Sequence, residues 1–109
     1  MNPDAKAESM EFLYRVQPTR PAMLTEGLTE AEAGAAGRHF EYLKGLTERG
    51  IVVLAGRTLN SDPTSFGIVV FRAPSEGDAR LIMENDPAVK NGVMRAELFP
   101  FRIALQSEI

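Results

Sequence analysis

Two apolar stretches near the middle of the chain decide the fold: Ile51-Val52-Val53-Leu54-Ala55 and Phe66-Gly67-Ile68-Val69-Val70-Phe71. Each stretch is short and rich in β-branched residues, which is typical of a strand that is covered on both faces. Between them, Asn60-Ser61-Asp62-Pro63-Thr64-Ser65 consists of residues that favour turns. We therefore predict that the two stretches form a β-hairpin.

A helix is predicted immediately before this hairpin. Thr29-Glu30-Ala31-Glu32 has the pattern of a capping box, in which the hydroxyl and the second carboxylate accept from free backbone N–H groups. The following segment is rich in Ala, Glu and Leu and should continue to about Arg49, where Gly50 can end it in a left-handed conformation. We expect its apolar face to consist of Ala36, Phe40, Leu43 and Leu46.

Three further elements flank the helix and the hairpin. Residues 10–17 alternate between apolar and polar positions, which predicts a strand that ends at Pro18. Residues 18–28 are expected to be a long connection. Ser75 can cap a second helix that runs to about Asn85, and a brief turn after it ends at Gly92. Residues 94–105 read as a last strand, in which Pro100 indicates an edge position or a bulge.

The order β-α-β-β-α-β predicts an α+β protein of the ferredoxin-like class, with a four-stranded antiparallel sheet. Two helices cover only one face of such a sheet, although the apolar strands predict cover on both faces. We therefore expect an obligate homodimer whose sheets pack face to face, with higher oligomers left open. Residues 1–9 are interpreted as a flexible polar leader, and residues 10–107 as a single domain.

Composition excludes several classes of function. The 109 residues include no cysteine, which rules out disulfides, thiolate nucleophiles and cysteine-bound zinc and fits a cytoplasmic protein. The net charge is −3 and no basic stripe occurs, so nucleic acid is not expected as a partner. No apolar run is long enough to span a membrane.

His39 is the only histidine and the first candidate for acid/base chemistry, because imidazole ordinarily titrates near neutral pH. The best carboxylate partner in the sequence is Asp86, which precedes Pro87. Each has a plainer interpretation: His39 as a half-buried helix residue bonded to a carbonyl group, and Asp86 as a helix N-cap. Asp86 can also do both, capping with one oxygen and accepting the Nδ1 proton of His39 with the other. Nε2 would then act as general base or acid.

The sequence lacks the motifs of several other mechanisms. It has no Gly-x-Ser-x-Gly elbow, phosphate loop or dinucleotide fingerprint, and one histidine among scattered carboxylates makes a poor zinc site. We therefore expect no cofactor and no metal. The reaction class that remains is proton abstraction, elimination or isomerisation on a small organic substrate.

Four residues are candidates for substrate binding: Arg57, Arg15, Arg20 and Tyr42. An arginine can hold a carboxylate or phenolate through two parallel hydrogen bonds, although a solvated or salt-bridged surface arginine is the alternative for each. Arg57 is the foremost candidate because it follows an apolar strand. Tyr14 and Tyr42 can donate to an oxyanion or simply pack in the core, and packing is favoured for both.

Several stretches together resemble a known family. They are His39-Phe40-Glu41-Tyr42-Leu43-Lys44-Gly45-Leu46, Gly50-Ile51-Val52-Val53-Leu54-Ala55-Gly56-Arg57, Ser75-Glu76-Gly77-Asp78-Ala79-Arg80 and Glu84-Asn85-Asp86-Pro87. Their order and spacing resemble the YciI-like (YCII-related) family of dimeric α+β barrel proteins over roughly residues 10–105.

The resemblance implies a ferredoxin-like protomer, a dimer formed between sheets, and a site with a His and an Asp, carried over to His39 and Asp86. One relative removes chloride from a chlorinated hydroxyquinol, and the wider superfamily includes lactone isomerases and cofactor-free monooxygenases. Arg57 departs from the small residue or proline that is usual after the Ala-Gly turn, which favours an anionic ligand. A non-catalytic dimer that binds a small ligand or regulates another protein is the alternative.

Overall fold

The computed structural model describes residues 10–107, which form four strands and four helices. In chain order these are β1 (Met10–Pro18), α1 (Met23–Glu26), α2 (Glu30–Glu48), β2 (Val52–Arg57), β3 (Gly67–Ala73), α3 (Glu76–Glu84), α4 (Pro87–Lys90) and β4 (Met94–Phe101). The leader that we predicted over residues 1–9 lies outside the described residues. No helix within residues 10–107 has both the length and the apolar character needed to cross a membrane.

The strands form one antiparallel sheet in the order β2-β3-β1-β4. This is the arrangement of a ferredoxin-like fold, so the predicted fold class is confirmed. The β2–β3 hairpin is also confirmed, but β2 lies at the edge of the sheet and not inside it, and its Leu54 is 49% exposed. β4 occupies the other edge, as Pro100 indicated.

One face of the sheet carries the core beneath the helices. The alternation of β1 places Phe12, Tyr14 and Val16 on this face, where all three side chains are buried. Phe12 pairs with Phe71 of β3 in register, and their ring centroids are 6.0 Å apart. Leu43 and Leu46 of α2 and Met83 of α3 complete the core from the helix side. Each buried side chain of this size contributes roughly 1.5–3 kcal/mol, so this face supplies most of the hydrophobic stabilisation.

The opposite face of the sheet stays open to solvent in the single chain. Leu13 and Arg15 of β1 point to it, since they alternate with the buried residues. On β4, Phe99 pairs with Leu13 and Phe101 pairs with Glu11, so both side chains lie on this face. They are 41% and 42% exposed. This open face is therefore apolar at several positions without being covered.

The buried stripe of α2 differs from the predicted one at Phe40, which is 64% exposed. Positions 32, 35, 39, 43 and 46 follow the three- and four-residue spacing that keeps side chains on one side of a helix. Phe40 lies one position off this row and is rotated by about 100° from His39, so it points away from the sheet. The prediction was wrong for Phe40, whereas Leu43 and Leu46 are buried as expected.

Two short helices and the end of the last strand also differ from the sequence prediction. α1 is a one-turn helix inside the connection that we expected to be irregular. α4 is a one-turn helix where we expected a brief turn, and it fits the alternative interpretation of Asp86 as a helix N-cap. The last strand ends at Phe101, not Leu105, because its neighbour β1 is paired there at Glu11, one residue from the start of that strand. A strand cannot continue where its partner ends.

The start of α2 is held by a polar cluster that joins it to the preceding connection. The capping box is confirmed: Thr29 Oγ1 accepts from the Glu32 N–H group at 3.1 Å, and Glu32 Oε1 accepts from the Thr29 N–H group at 2.8 Å. Arg20 donates to both carboxylate oxygens of Glu32, at 2.8 and 2.7 Å, and to the carbonyl oxygen of Gly27 at 2.9 Å. The hydrogen bonds from Arg20, and then that from Thr29, lower the pKa of Glu32 from 4.5 to about 2.

This cluster predicts a specific loss of stability in acid. A carboxylate whose pKa is lower in the folded state stabilises the fold above its ordinary pKa and loses that contribution as the pH falls toward the lowered value. We expect the free energy of unfolding of the wild type to exceed that of Glu32→Gln most clearly above pH 4.5, and the difference to shrink toward pH 2. Urea unfolding across this pH range measures it.

Glu30→Gln is the matched control, because Glu30 is an exposed carboxylate in the same first turn. If its stability follows that of Glu32→Gln at every pH, the Arg20–Glu32 contact is not the cause.

Candidate functional site

Asp86 occupies the tight turn between α3 and α4 and starts α4. Its Oδ1 atom accepts from the N–H group of Ala88 at 3.0 Å, and Pro87 takes the first helical position. Pro suits that position because its backbone angle is helical and it has no N–H group to leave unpaired. The Asp86 side chain is nevertheless completely buried. A buried carboxylate needs further donors, since an isolated charge away from water is very costly.

His39 supplies one of these donors. It lies on the buried stripe of α2, and its Nδ1 atom is 2.7 Å from both Oδ1 and Oδ2 of Asp86. The His39 side chain keeps 22% of its surface exposed, whereas that of Asp86 has none. With Nδ1 bonded to the carboxylate, Nε2 is the ring nitrogen left for other partners.

Tyr14 supplies another donor from the centre of β1. Its hydroxyl group donates to Oδ2 of Asp86 at 2.6 Å, and both side chains are fully buried. Burial, and then the neighbouring charge of Asp86, raise the pKa of Tyr14 far above its ordinary value. The phenol therefore keeps its proton and acts as a donor to the carboxylate.

The sequence analysis favoured a packing role for Tyr14 and did not place it at the site. One signal in the sequence could have identified it. Tyr14 stands between Phe12 and Val16 in a row that points to the core. A tyrosine hydroxyl buried in such a row usually finds a hydrogen-bond partner, and a buried carboxylate is a strong acceptor.

This arrangement divides the chemical roles. Asp86 is enclosed and already accepts from Tyr14, Ala88 and His39, so it is placed to act through His39 and not on a ligand directly. The partly exposed imidazole is the group of the three that can meet a ligand. A histidine held by a carboxylate in this way can exchange protons through its second nitrogen.

Tyr42 lies one helical turn from His39 and has its own partner. Its hydroxyl donates to the carbonyl oxygen of Ile82 at 2.8 Å. Burial, and then the charge of Asp86, raise the pKa of Tyr42. Tyr42 also borders a shallow surface depression of about 630 Å³ along α2, which Gly34, Gly37 and other residues of that helix line.

In the described part of the chain, no hydrogen bond joins His39 to any of the three predicted arginines. Arg15 pairs with Glu97 on the open face, which is the side of the sheet opposite to Tyr14. Arg20 is bound to Glu32. Arg57 is exposed at the end of β2, on the same face as Tyr14, and its guanidinium group makes no hydrogen bond or ion pair within residues 10–107. In the same part of the chain, no three His, Asp or Glu side chains are grouped so that they could hold a metal ion.

Comparison with solved structures identifies similar folds. The chain is similar to the 5-chloro-2-hydroxyhydroquinone dehydrochlorinase TftG of Burkholderia phenoliruptrix, solved in complex with 2,5-dihydroxybenzoquinone. The identity is 23%, the TM-score is 0.64, and the match covers 85% of this chain and 94% of that one. It is also similar to an uncharacterized protein of Thermotoga maritima, with 12% identity, a TM-score of 0.54, and coverage of 86% and 99%.

At these identities the likeness concerns the fold alone. No curated protein matches the chain significantly. The YCII-related domain, however, matches residues 10–102, which is most of the chain. The protein therefore belongs to the YCII-related family.

Proposed function

We propose that the protein is a cofactor-independent enzyme in which His39 transfers a proton on a small hydroxylated organic substrate. One observation carries the proposal: a partly exposed imidazole is bonded through Nδ1 to a fully buried carboxylate. Such a carboxylate holds the ring in one tautomer and orientation and offsets the positive charge that the ring gains when Nε2 accepts a proton. A histidine with only a packing role does not require this support.

The similarity to a dehydrochlorinase suggests an elimination as the reaction. In a chlorinated hydroquinone, the proton of the hydroxyl group next to chlorine moves to the ring carbon that carries chlorine. Loss of the second hydroxyl proton then expels chloride together with the electrons of its bond. The products are a quinone and HCl, so the reaction balances without an external oxidant. One group that accepts and returns protons is sufficient for these steps, and His39 is that group in the proposal.

Removal of the imidazole is predicted to slow turnover strongly without unfolding the protein. We expect His39→Gln to lower the rate of chloride release from a panel of chlorinated hydroquinones by about 10²–10⁴-fold, which is the usual contribution of general acid/base catalysis. Chloride measurement and quinone absorbance report the rate, and circular dichroism reports the fold. Lys44→Gln, an exposed change on the same helix, serves as the control.

Full activity of His39→Gln contradicts the proposal. If the wild type binds these compounds but releases no chloride, isomerises none of a panel of lactones, and binds through the depression beside Tyr42, it is a ligand-binding protein instead.

Arg57 is the arginine that we propose for substrate binding, because Arg15 and Arg20 are already paired with carboxylates. An exposed guanidinium can bind a phenolate or carboxylate of the substrate. We expect Arg57→Gln to raise KM severalfold and leave kcat nearly unchanged, since a contact of this kind binds substrate and transition state alike. An unchanged KM in steady-state kinetics contradicts this role, and Arg102→Gln is an exposed control.

We further propose that two copies pair through the open faces of their sheets. The faces expose Leu54, Phe99 and Phe101 to 49%, 41% and 42%, although large apolar patches are uncommon on a monomer. A two-fold dimer can bury the same patch on both copies. The resemblance of the sequence to dimeric α+β barrel proteins also supports this assembly.

The dimer is predicted to be disrupted by a charge on the open face and not by a charge on the helix layer. In analytical ultracentrifugation at micromolar concentration, we expect the wild type to sediment as a dimer and Phe99→Glu as a monomer. Phe40→Glu is the matched control, because Phe40 is 64% exposed on α2, on the other side of the sheet. A monomeric wild type, or dissociation caused by Phe40→Glu alone, contradicts this assembly.

A further inference from the structure

The geometry points to Tyr14 as the positioning residue of the site: its hydroxyl group holds the Asp86 carboxylate so that both oxygens face Nδ1 of His39. The inference rests on the proposed function, because a positioning role has meaning only if His39 exchanges protons. Tyr14 itself is fully buried and is not placed to touch a substrate.

The arrangement of donors around Asp86 is the first step of the argument. Nδ1 of His39 is 2.7 Å from each carboxylate oxygen, so the imidazole lies symmetrically before the group. Oδ1 has a second donor in the N–H group of Ala88 at 3.0 Å, and Oδ2 has one in the hydroxyl of Tyr14 at 2.6 Å. Each oxygen thus has one donor of its own in addition to the histidine that they share.

The consequence concerns rotation of the carboxylate. The Cβ–Cγ bond of an aspartate turns easily, and the bond from Ala88 restrains only Oδ1. Without Tyr14, the only donor to Oδ2 would be His39, which also donates to Oδ1. The carboxylate could then turn away from its symmetric contact with Nδ1 of His39. Tyr14 is therefore the group that completes the restraint on the side opposite to Ala88.

Tyr14 is well suited to this role because it is itself immobile. It lies in β1, an inner strand, and is paired with Val69 of β3 on one side and Leu98 of β4 on the other. Its ring packs against Phe71 with centroids 5.6 Å apart. The hydrogen bond from Tyr14 therefore fixes the carboxylate relative to the centre of the sheet. The other two donors, His39 and Ala88, belong to the helix layer.

Tyr42 offers a matched comparison within the same molecule. It is also a tyrosine near Asp86, but its hydroxyl bonds to the carbonyl oxygen of Ile82 and not to the carboxylate. Loss of the Tyr42 hydroxyl removes a hydrogen bond of a partly buried phenol without changing the donors of Asp86. A difference between the two Tyr→Phe variants therefore reports on the carboxylate and not on general stability.

The test uses ¹⁵N NMR of histidine-labelled protein, in which His39 is the single histidine of the chain and gives one pair of ring signals. At a pH where the ring is neutral, the wild type should show a protonated Nδ1 and an unprotonated Nε2. In Tyr14→Phe we expect the tautomer ratio to move about tenfold toward Nε2–H, because a carboxylate that has turned away accepts more weakly from the Nδ1–H group. Tyr42→Phe should keep the wild-type ratio.

Each outcome has a separate meaning. Equal tautomer ratios in Tyr14→Phe and the wild type overturn the positioning role and leave the proposed function intact. An unprotonated Nδ1 in the wild type would show that His39 does not donate to Asp86, and the proposed function would then fail as well. If Tyr14→Phe does not fold, the wild type still decides: the slowly exchanging hydroxyl proton of Tyr14 must show a nuclear Overhauser effect to the Nδ1 proton of His39, and its absence refutes the inference.

Discussion

The buried carboxylate of Asp86 is the constraint around which the site is built. A charge removed from water is tolerated only where hydrogen bonds replace its hydration, and the donors to Asp86 come from β1, α2 and α4. If any of these elements shifted, the carboxylate would be exposed to water or would lose a hydrogen-bond donor. One polar group thus couples the sheet, the long helix and the turn before the last strand.

The two faces of the sheet serve different purposes. The face beneath the helices holds the aromatic core of Phe12, Tyr14 and Phe71 and extends directly into the polar contact at Asp86. The open face has half-exposed Phe99 and Phe101 and the Arg15–Glu97 ion pair. Alternation along β1 separates them, so that the residue that bonds Asp86 is next in sequence to one that faces the proposed partner.

Local signals predicted the elements whose pattern is strong. The alternation in β1, the capping box at Thr29 and the apolar runs in β2 and β3 all correspond to elements of the structure. The sequence signals failed where contacts in the tertiary structure determine whether a strand is exposed or a short helix forms. An apolar run alone does not tell an edge strand from an inner one, which is why the exposure of β2 was not anticipated. α1 and α4 have only four residues each, too few for a helical period to be visible.

The sequence by itself determined the order of elements and singled out His39 and Asp86, because one is the only imidazole of the chain and the other begins a helix before a proline. The tertiary structure decided what surrounds them. Tyr14 reaches Asp86 across 72 positions of sequence, and Arg15 and Arg20 are bound to carboxylates away from the site. The physical reason is that strand register and helix packing place side chains in space, whereas local sequence governs only which element each residue joins.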